Sequence, residues 1–453
     1  MARLRDFWSG RTGFALATIG AAVGLGSIWK FPYEVGANGG GAFLLFYLAG
    51  LILIVFPLML VEFAIGRRGR ADAARAIETV AAAAGASRHW AWGGLLGVAA
   101  SFIILSYYSV VGGWAFSYAI DIALRGLAGA NVLAVQARFD ALMAAPLTMS
   151  TYHLVYMAVV ALIVARGISG GIEAACKILM PVLIGLIIVL GLFSVAQGDL
   201  TATLRFLFRI EPARMTLRVA LDALGLGFFS IGVGMSLMIT YAAYAGADVD
   251  LREVAIITII GDTAVSMAAG FAVFPVVFAE GLDPADGPGL MFVTLPLAFA
   301  KIPGGTIAAV GFFVLLIVAA VASGISMLEM PVALLTRRGW SRSGATAASA
   351  AAVWLCGLPT VLSFNHWAAW YPLAALPLFA KATVFDLLDH FASNIMLPIG
   401  GIFLALFAGW VLPTRLFVEE IGIGLRVARL LRFLLRYIVP SCVAILALFP
   451  LLG

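Results

Sequence analysis

The sequence predicts an all-α polytopic membrane protein with about 11 transmembrane helices in a 5+5 inverted repeat. Of its 453 residues, 63% are hydrophobic and 11% are charged, and the mean hydropathy is +1.08. A soluble domain carries roughly a quarter charged residues, so this chain cannot cover a water-facing surface of that kind. The composition therefore excludes a soluble enzyme, a disordered scaffold and a nucleic-acid-binding protein. The lipid bilayer is the predicted environment.

Eleven runs are apolar enough to cross the bilayer, since a span needs about 20 such residues. They lie at about 13–35, 41–66, 91–124, 150–166, 171–195, 217–245, 252–278, 306–336, 344–362, 384–411 and 431–452. We assign one transmembrane domain over 1–453, with repeats at about 13–195 and 217–411 and an extra helix at 431–452. The segments 279–305 and 363–383 are predicted outer loops, and 412–430 a basic, amphipathic inner one.

Lysine and arginine positions predict the orientation, because these residues favour the cytoplasmic side. Most of the 28 fall in segments that are inside when the N-terminus is inside. The exception is a cluster between the fifth and sixth spans, made of Arg205, Arg209, Arg214 and Arg218. We predict a multi-pass protein of the inner (plasma) membrane, with a cytoplasmic N-terminus and an outside C-terminus.

Cysteine and histidine spacing argues against metal or nucleophilic chemistry. The three cysteines stand singly in apolar stretches, and the four histidines lie far apart. No CxxC, HxxxH or HExxH pattern occurs, and no Ser/His or Cys/His constellation is evident. We therefore predict that the chain is not an enzyme.

Two spans are broken near their middle by glycines. The first reads GAAVGLGS over 20–27, and the sixth reads FSIGVGMS over 229–236. If spans one to five and six to ten are the two halves, the breaks occupy corresponding positions, which indicates binding sites at both. Unwound backbone frees carbonyls for a cation, and the new helix N-termini attract a carboxylate. The alternative is close helix packing through small residues.

The run from Gly20 to Phe43, GAAVGLGSIWKFPYEVGANGGGAF, closely resembles the opening helix of the neurotransmitter:sodium symporter family, especially its bacterial amino-acid transporters. Further similar motifs are Arg5 with Trp8, SYY at 106–108, GISGGIE at 167–173, ITYAAY at 239–244, the run 323–329 and DLLD at 386–389. The resemblance implies a secondary active transporter. It would take up a neutral amino acid with sodium by alternating access.

The resemblance also implies a substrate site. The substrate carboxylate would meet the N–H groups of Leu25 and Gly26 and the Tyr108 hydroxyl, and carbonyls near Ala22, Phe229 and Ser230 would hold the amine. Relatives that carry amines have an aspartate at the position of Gly24, so glycine implies a substrate with a free carboxylate. The rest of the lining would be Ala21, Ile104, Gly232, Met235, Ser323 and Met327. This apolar lining predicts a neutral, hydrophobic substrate side chain.

Two sodium sites are implied as well, each with departures from the family pattern. The first would use the Ala22 carbonyl, Ser27, Ser230, Asp262 and the substrate carboxylate, with Ser27 and Asp262 in place of asparagines. The second would use carbonyls of Gly20, Val23 and Ala319 and the Ser323 hydroxyl. Ala322 stands where the family has a hydroxyl or carboxylate, so this site has lost a ligand.

An aspartate in mid-membrane is a functional residue by default, and three roles are open for Asp262. It could ligate sodium, carry a proton, or supply the negative charge that some relatives take from chloride, with Ser266 near the chloride position. We predict Na⁺ as the coupling ion and no chloride requirement.

Gate residues are implied on both sides of the site. Lys30 and Asp389 take the places of an outer Arg–Asp pair, and a lysine makes a less directional latch than arginine. Tyr108 and Phe229 would form a lid beneath them. The inner gate would comprise Arg5, Trp8 and Tyr244. Its usual aspartate is replaced by Arg337, so we expect easier inward opening unless Asp6 or Glu329 substitutes; the alternative is that Arg337 only anchors topology.

Two other functions stay open. One keeps the fold and uses a proton, or no ion, in place of sodium. The other is a substrate-sensing receptor, against which the lack of a signalling domain argues. The predicted partners are a small amino acid and lipid, with no nucleic acid, and a homodimer is compatible with the sequence.

Overall fold

The computed structural model describes residues 7–127, 129–284 and 289–449, and within them it contains helices, turns and no strand. In chain order the helices are α1 (Arg11–Ala22), α2 (Gly26–Ala37), α3 (Gly41–Gly69), α4 (Ala73–Ala83), α5 (Arg88–Arg125), α6 (Val132–Met143), α7 (Pro146–Val164), α8 (Ile168–Gln197), α9 (Leu200–Phe208), α10 (Leu217–Ile231), α11 (Leu237–Ala243), α12 (Leu251–Ala279), α13 (Leu290–Lys301), α14 (Gly305–Arg337), α15 (Arg342–Ser363), α16 (Val384–Val411), α17 (Thr414–Ile421) and α18 (Leu425–Leu448).

The predicted class is confirmed. Among the described residues, nine helices are long and apolar enough to cross a membrane, and α1 with α2 makes a tenth span bent by 50°. The remaining predicted span, the sixth, at 217–245, consists of the two shorter helices α10 and α11. All 11 predicted spans therefore coincide with helices of the structure.

Two predicted boundaries need correction. The segment 279–305 is more than a loop, because it holds the helix α13, whose side chains from Leu290 to Leu295 are nearly all buried. Its apolar run is only about 12 residues long, too short to register as a span. The last span begins at Leu425 rather than near 431, because the basic segment before it is already helical.

Both glycine-containing breaks lie inside the protein. Between α1 and α2 the backbone turns extended at Val23, with ψ 104°. Between α10 and α11 it passes through left-handed conformations at Gly232, Gly234 and Ser236, with φ of 73°, 88° and 58°. Side chains at 20–28 and 231–245 are buried, so non-helical backbone at this depth is shielded from lipid.

The broken helices are enclosed by the longest helices. The helix α1 contacts α8, α12 and α14, while α11 lies against α3, and α14 packs along α5. Apolar side chains point outward on the periphery; on α8, Ile178 and Leu192 are each 67% exposed. This arrangement places the two breaks together at the centre and the apolar outer surface toward lipid.

Candidate substrate and ion sites

One cavity lies between the two breaks, closed by α5 on one side and α14 on another. Its lining comprises Ala21, Ala22, Gly24, Leu25, Gly26, Ile104, Tyr108, Phe229, Ser230, Gly232, Met235, Leu237, Ser323 and Met327. Thirteen of these are the predicted substrate-site residues, and the structure brings all 13 together. The addition is Leu237, the first residue of α11. Leu237 could have been predicted from the sequence, because it lies two residues beyond Met235, just past the break.

Polar groups of the first break face Tyr108. The Leu25 N–H donates to the Tyr108 hydroxyl at 3.1 Å, so the two groups lie side by side at one end of the cavity. Gly24 is required there, because a Cβ would lie 2.3 Å from Ser323 Oγ. Gly26 meets the second break, where an added Cβ would be 3.1 Å from Ser230 Cα. The backbones of the two breaks therefore touch.

The carboxylate of Asp262 is fully buried and lies beside this contact. The Ser27 hydroxyl donates to it at 2.5 Å and the Ser230 hydroxyl at 2.9 Å, and the two hydroxyls lie 3.0 Å apart. The Tyr47 hydroxyl donates to its other oxygen at 3.1 Å. The predicted first-site side chains are thus in mutual contact. Tyr47 was missed, since a tyrosine in an apolar span gives no signal of its own.

This oxygen-rich cluster fits a hard monovalent cation. Each serine hydroxyl has one O–H donor. When the hydroxyl donates this hydrogen bond to Asp262, its oxygen lone pairs remain free to face an ion. Among the described residues no three His, Cys, Asp or Glu side chains converge. An ion held here would therefore depend on hydroxyl and carbonyl oxygens around a single carboxylate, a donor set suited to a hard cation such as Na⁺ and unsuited to metals that prefer sulfur or imidazole ligands.

The second predicted ion site is formed in part. The Ser323 hydroxyl lies 3.2 Å from the Val23 carbonyl oxygen and 3.4 Å from that of Ala21, and donates toward them. Gly20 and Ala319 are buried on the facing helices α1 and α14. Ala322 is buried and offers no oxygen from its side chain. The structure brings α1 and α14 together at the predicted place, with one side-chain oxygen between them.

A second buried carboxylate, Glu62 on α3, escaped the sequence reading. It accepts the N–H groups of Gly234 at 2.8 Å and Met238 at 3.2 Å. These are donors that the break before α11 leaves without helical partners. A lone glutamate in an apolar span was the signal that could have found it.

Above the cavity, Lys30 and Asp389 are not joined in an ion pair. The Lys30 ammonium lies over the Phe229 ring, 4.6 Å from its centre, while Asp389 accepts from the Tyr107 and Ser393 hydroxyls at 3.0 Å each. Both residues line a separate cavity of about 260 Å³, which we call the outer cavity because it is outermost in the predicted orientation. Phe229 belongs to both cavities and separates them.

Below the cavity, the described residues of the predicted inner gate make hydrogen bonds across the fold. The Trp8 indole N–H donates to the Tyr241 carbonyl at 2.9 Å, and the Tyr244 hydroxyl donates to Glu329 at 2.9 Å. Arg342 holds the same carboxylate with two N–H donors, at 2.5 and 3.1 Å. Arg5 and Asp6 lie outside the described residues.

Arg337 has a carboxylate partner that the sequence did not reveal. Its guanidinium donates to Asp72 at 2.7 Å. Asp72 is buried and also caps α4, accepting the Arg75 N–H at 3.3 Å. Arg337 therefore joins the end of α14 to the start of α4, a contact beyond simple anchoring.

Comparison with known proteins agrees with this geometry. A family model, the Sodium:neurotransmitter symporter family, matches residues 5–130 and 129–452. The chain belongs to this family. It is 35% identical to the uncharacterized sodium-dependent transporter YhdH of Bacillus subtilis, over 97% of this chain and 96% of that protein. Similarity extends to the bovine sodium-dependent dopamine transporter, at 28% identity over 72% of this chain and 53% of that protein.

Among solved structures, the crystal structure of MhsT in complex with L-phenylalanine matches with a TM-score of 0.89 and 38% identity. The match covers 98% of this chain and 99% of that one. The resemblance stated from sequence is therefore confirmed. The chain is a multi-pass, sodium-dependent membrane transporter and not an enzyme.

Proposed function

We propose that this symporter couples the inward movement of a neutral, hydrophobic amino acid to sodium by alternating access. The observation that carries the proposal is the single cavity in which the Leu25 N–H, the Tyr108 hydroxyl and the hydroxyl of Ser230, a partner of Asp262, come together. Two breaks in corresponding spans would let one half of the chain move against the other around this cavity.

The cavity lining supports the substrate class. None of its 14 side chains carries a charge, so it offers no counter-charge to an acidic or basic substrate side chain. The two charges that every free amino acid carries are matched by backbone N–H and carbonyl groups of the breaks. Met235 and Met327 present flexible, apolar surface that adapts to a bulky group. The relative solved with L-phenylalanine is consistent with such a substrate.

The Asp262 cluster supports sodium without chloride. A bound Na⁺ adds one positive charge to a buried site, and the Asp262 carboxylate supplies the compensating negative charge in place. With a neutral residue at this position, the compensating charge would have to come from another group, such as chloride.

The proposal can be tested by measuring the unfolding temperature of the purified protein with each amino acid in turn, once in sodium buffer and once in choline buffer. A ligand that binds only the folded state stabilises it by about 2.7 kcal/mol at 100 times its Kd. We expect hydrophobic amino acids to raise the unfolding temperature in sodium and not in choline. Stabilisation by a charged amino acid would contradict the substrate class. Counterflow of labelled substrate in proteoliposomes separates a carrier from a receptor.

Substitution of Asp262 tests the ion assignment. Asp262→Asn removes the charge and preserves the shape, so we expect uptake to be lost in chloride-free buffer. When chloride is added, uptake should either stay lost or return. Asp222→Asn is the matched control, because Asp222 lines only the outer cavity. Unchanged uptake by Asp262→Asn in chloride-free buffer would refute the assignment.

Proton coupling is the second candidate, favoured by the oxygen-poor second ion site at Ala322. In that case Asp262 carries the proton. The same stability experiment then gives equal ligand stabilisation in sodium and choline, and a dependence on pH.

A further inference from the structure

The short helix α9 (Leu200–Phe208) lies at the edge of the membrane domain, between α8 and α10. The Asp199 N–H donates to the Pro275 carbonyl at 2.9 Å, which ties its start to the last turns of α12. Thr203 and Leu207 are buried, and the Phe206 ring contacts Phe274 with 5.3 Å between centres. One face of α9 is therefore fixed to the protein, level with the ends of the adjoining spans.

The other two faces of α9 differ in character. Leu204 and Phe208, one turn apart, are 42% and 55% exposed. Arg205 and Arg209, also one turn apart, are exposed on the side opposite the buried face. At 100° per residue, the apolar pair lies between the buried stripe and the basic stripe. This is the order expected for a helix at the lipid surface, with one flank toward acyl chains and one toward headgroups.

The basic side chains of this surface lack partners within the described structure. Arg205, Arg209 and Arg214 make no ion pair or side-chain hydrogen bond with a described residue, whereas Arg218 lies 4.0 Å from Asp222. Two acidic residues lie nearby in sequence: Asp199 caps α9, accepting the Ala202 N–H at 2.8 Å, and the exposed Glu211 makes no ion pair with these arginines. Three guanidinium groups, each with five donors, are thus available to an anion from outside the protein.

We propose that Arg205, Arg209 and Arg214 form a binding surface for the phosphate headgroup of an anionic phospholipid, with Leu204 and Phe208 against its acyl chains. Lipid binding would explain why this basic cluster lies on the outer side in our predicted orientation, where lysine and arginine are otherwise fewer. Arginine forms paired N–H···O bonds with phosphate oxygens, and the apolar flank selects a lipid over a soluble phosphate.

The surface also adjoins the outer half of the first span. The turn at Gly39–Gly41 lies against it, and an added Cβ at Gly40 would reach the Phe206 carbonyl oxygen within 2.0 Å. At Gly41 an added Cβ would lie 2.6 Å from the Arg209 carbonyl oxygen. A lipid bound at this surface therefore rests against the segment that connects α2 to α3.

Native mass spectrometry of the detergent-solubilised protein tests the proposal, with palmitoyl-oleoyl phosphatidylglycerol as probe and the matching phosphatidylcholine as reference. We expect preferential phosphatidylglycerol adducts that weaken as salt rises. Each arginine near a membrane surface contributes roughly fivefold in affinity, so Arg205→Gln with Arg209→Gln should weaken binding roughly 30-fold.

The matched control is Arg125→Gln with Arg218→Gln. It removes the same charge from exposed arginines that already have an aspartate four residues away. We expect this control to bind phosphatidylglycerol like the wild type. If both double variants lose phosphatidylglycerol affinity equally, the effect is one of net charge and the proposal is overturned. Full competition by soluble glycerol phosphate at the same concentration as the lipid would also overturn it. If the double variant does not fold, Arg209→Gln alone should show the fivefold loss.

Discussion

Replacing Gly24 by alanine introduces a single methyl group into the candidate site, against Ser323 and Tyr108. The added Cβ would lie 2.3 Å from Ser323 Oγ, 2.8 Å from the Tyr108 hydroxyl and 3.1 Å from Ser323 Cβ. Two of these three contacts are closer than real Cβ atoms approach. Either α14 and the Tyr108 ring must move away from the break, or the break must move.

The cost follows from what each movement breaks. Overpacking by one methyl group costs about 1–3 kcal/mol. Displacing the Tyr108 hydroxyl also removes the acceptor that lies 3.1 Å from the Leu25 N–H, and displacing Ser323 removes the hydroxyl beside the Val23 carbonyl. These are proposed substrate and sodium ligands. We therefore expect affinity for both to fall about 10- to 100-fold, which corresponds to about 1.4–2.8 kcal/mol.

Sodium-dependent binding of labelled substrate to the purified variant measures the effect directly. Gly227→Ala is the matched control, because its added Cβ would meet Leu51 and Val55 at an ordinary 3.5 Å. We expect the control to bind like the wild type, since alanine also favours the helix α10 that contains it. Wild-type affinity in Gly24→Ala would refute the reasoning, because it would mean that Gly24, Tyr108 and Ser323 do not meet at the binding site.

Two further predictions concern polar contacts that bridge distant segments. Glu62→Gln keeps an oxygen for one of the two buried N–H donors and points its amide N–H₂ at the other. We therefore expect a loss of about 1–3 kcal/mol in stability together with weak transport, read from denaturation and uptake; wild-type stability would show that the break before α11 does not need the carboxylate. A double-mutant cycle of Arg337→Ala with Asp72→Asn should give a coupling energy of about 1 kcal/mol. Asparagine is chosen at position 72 because it can keep the cap of α4. Simple additivity would contradict the ion pair.

Apolar run length and glycine placement were enough to predict the long apolar spans and both breaks. Backbone in a bilayer has few alternatives to helix, so a run of about 20 apolar residues is an unusually strong signal. The 13 substrate-site residues also converge as predicted, because the resemblance assigned each to a motif with a known place in the fold. α13 escaped because its run is too short to span and lies in a glycine- and proline-rich segment.

Contacts between distant residues could not be predicted in this way. Asp72 and Arg337 are 265 positions apart, and Tyr244 and Glu329 are 85 apart. The family pattern indicated only that Arg337 stands where an aspartate usually pairs with the arginine at the position of Arg5. Its pairing with Asp72 depends on the packing of α4 against the bundle. The same limit applies to Lys30, whose position above Phe229 depends on the rotation of α2 rather than on any local pattern.

The two buried carboxylates near the breaks differ in a way that separates a structural role from an ion-binding one. The partners of Glu62 are backbone N–H groups, whose direction is fixed by α11 and the turn before it. Such donors have no lone pair to offer, so a cation near this carboxylate would gain no oxygen ligand from its partners. The partners of Asp262 are the hydroxyls of Ser27, Ser230 and Tyr47, which rotate and carry lone pairs of their own. A cation near Asp262 would gain the carboxylate and at least two hydroxyl oxygens without breaking a backbone contact. Of these two equally buried carboxylates, Asp262 is the one whose partners could also serve as ion ligands, and this difference supports the sodium site that we propose at Asp262.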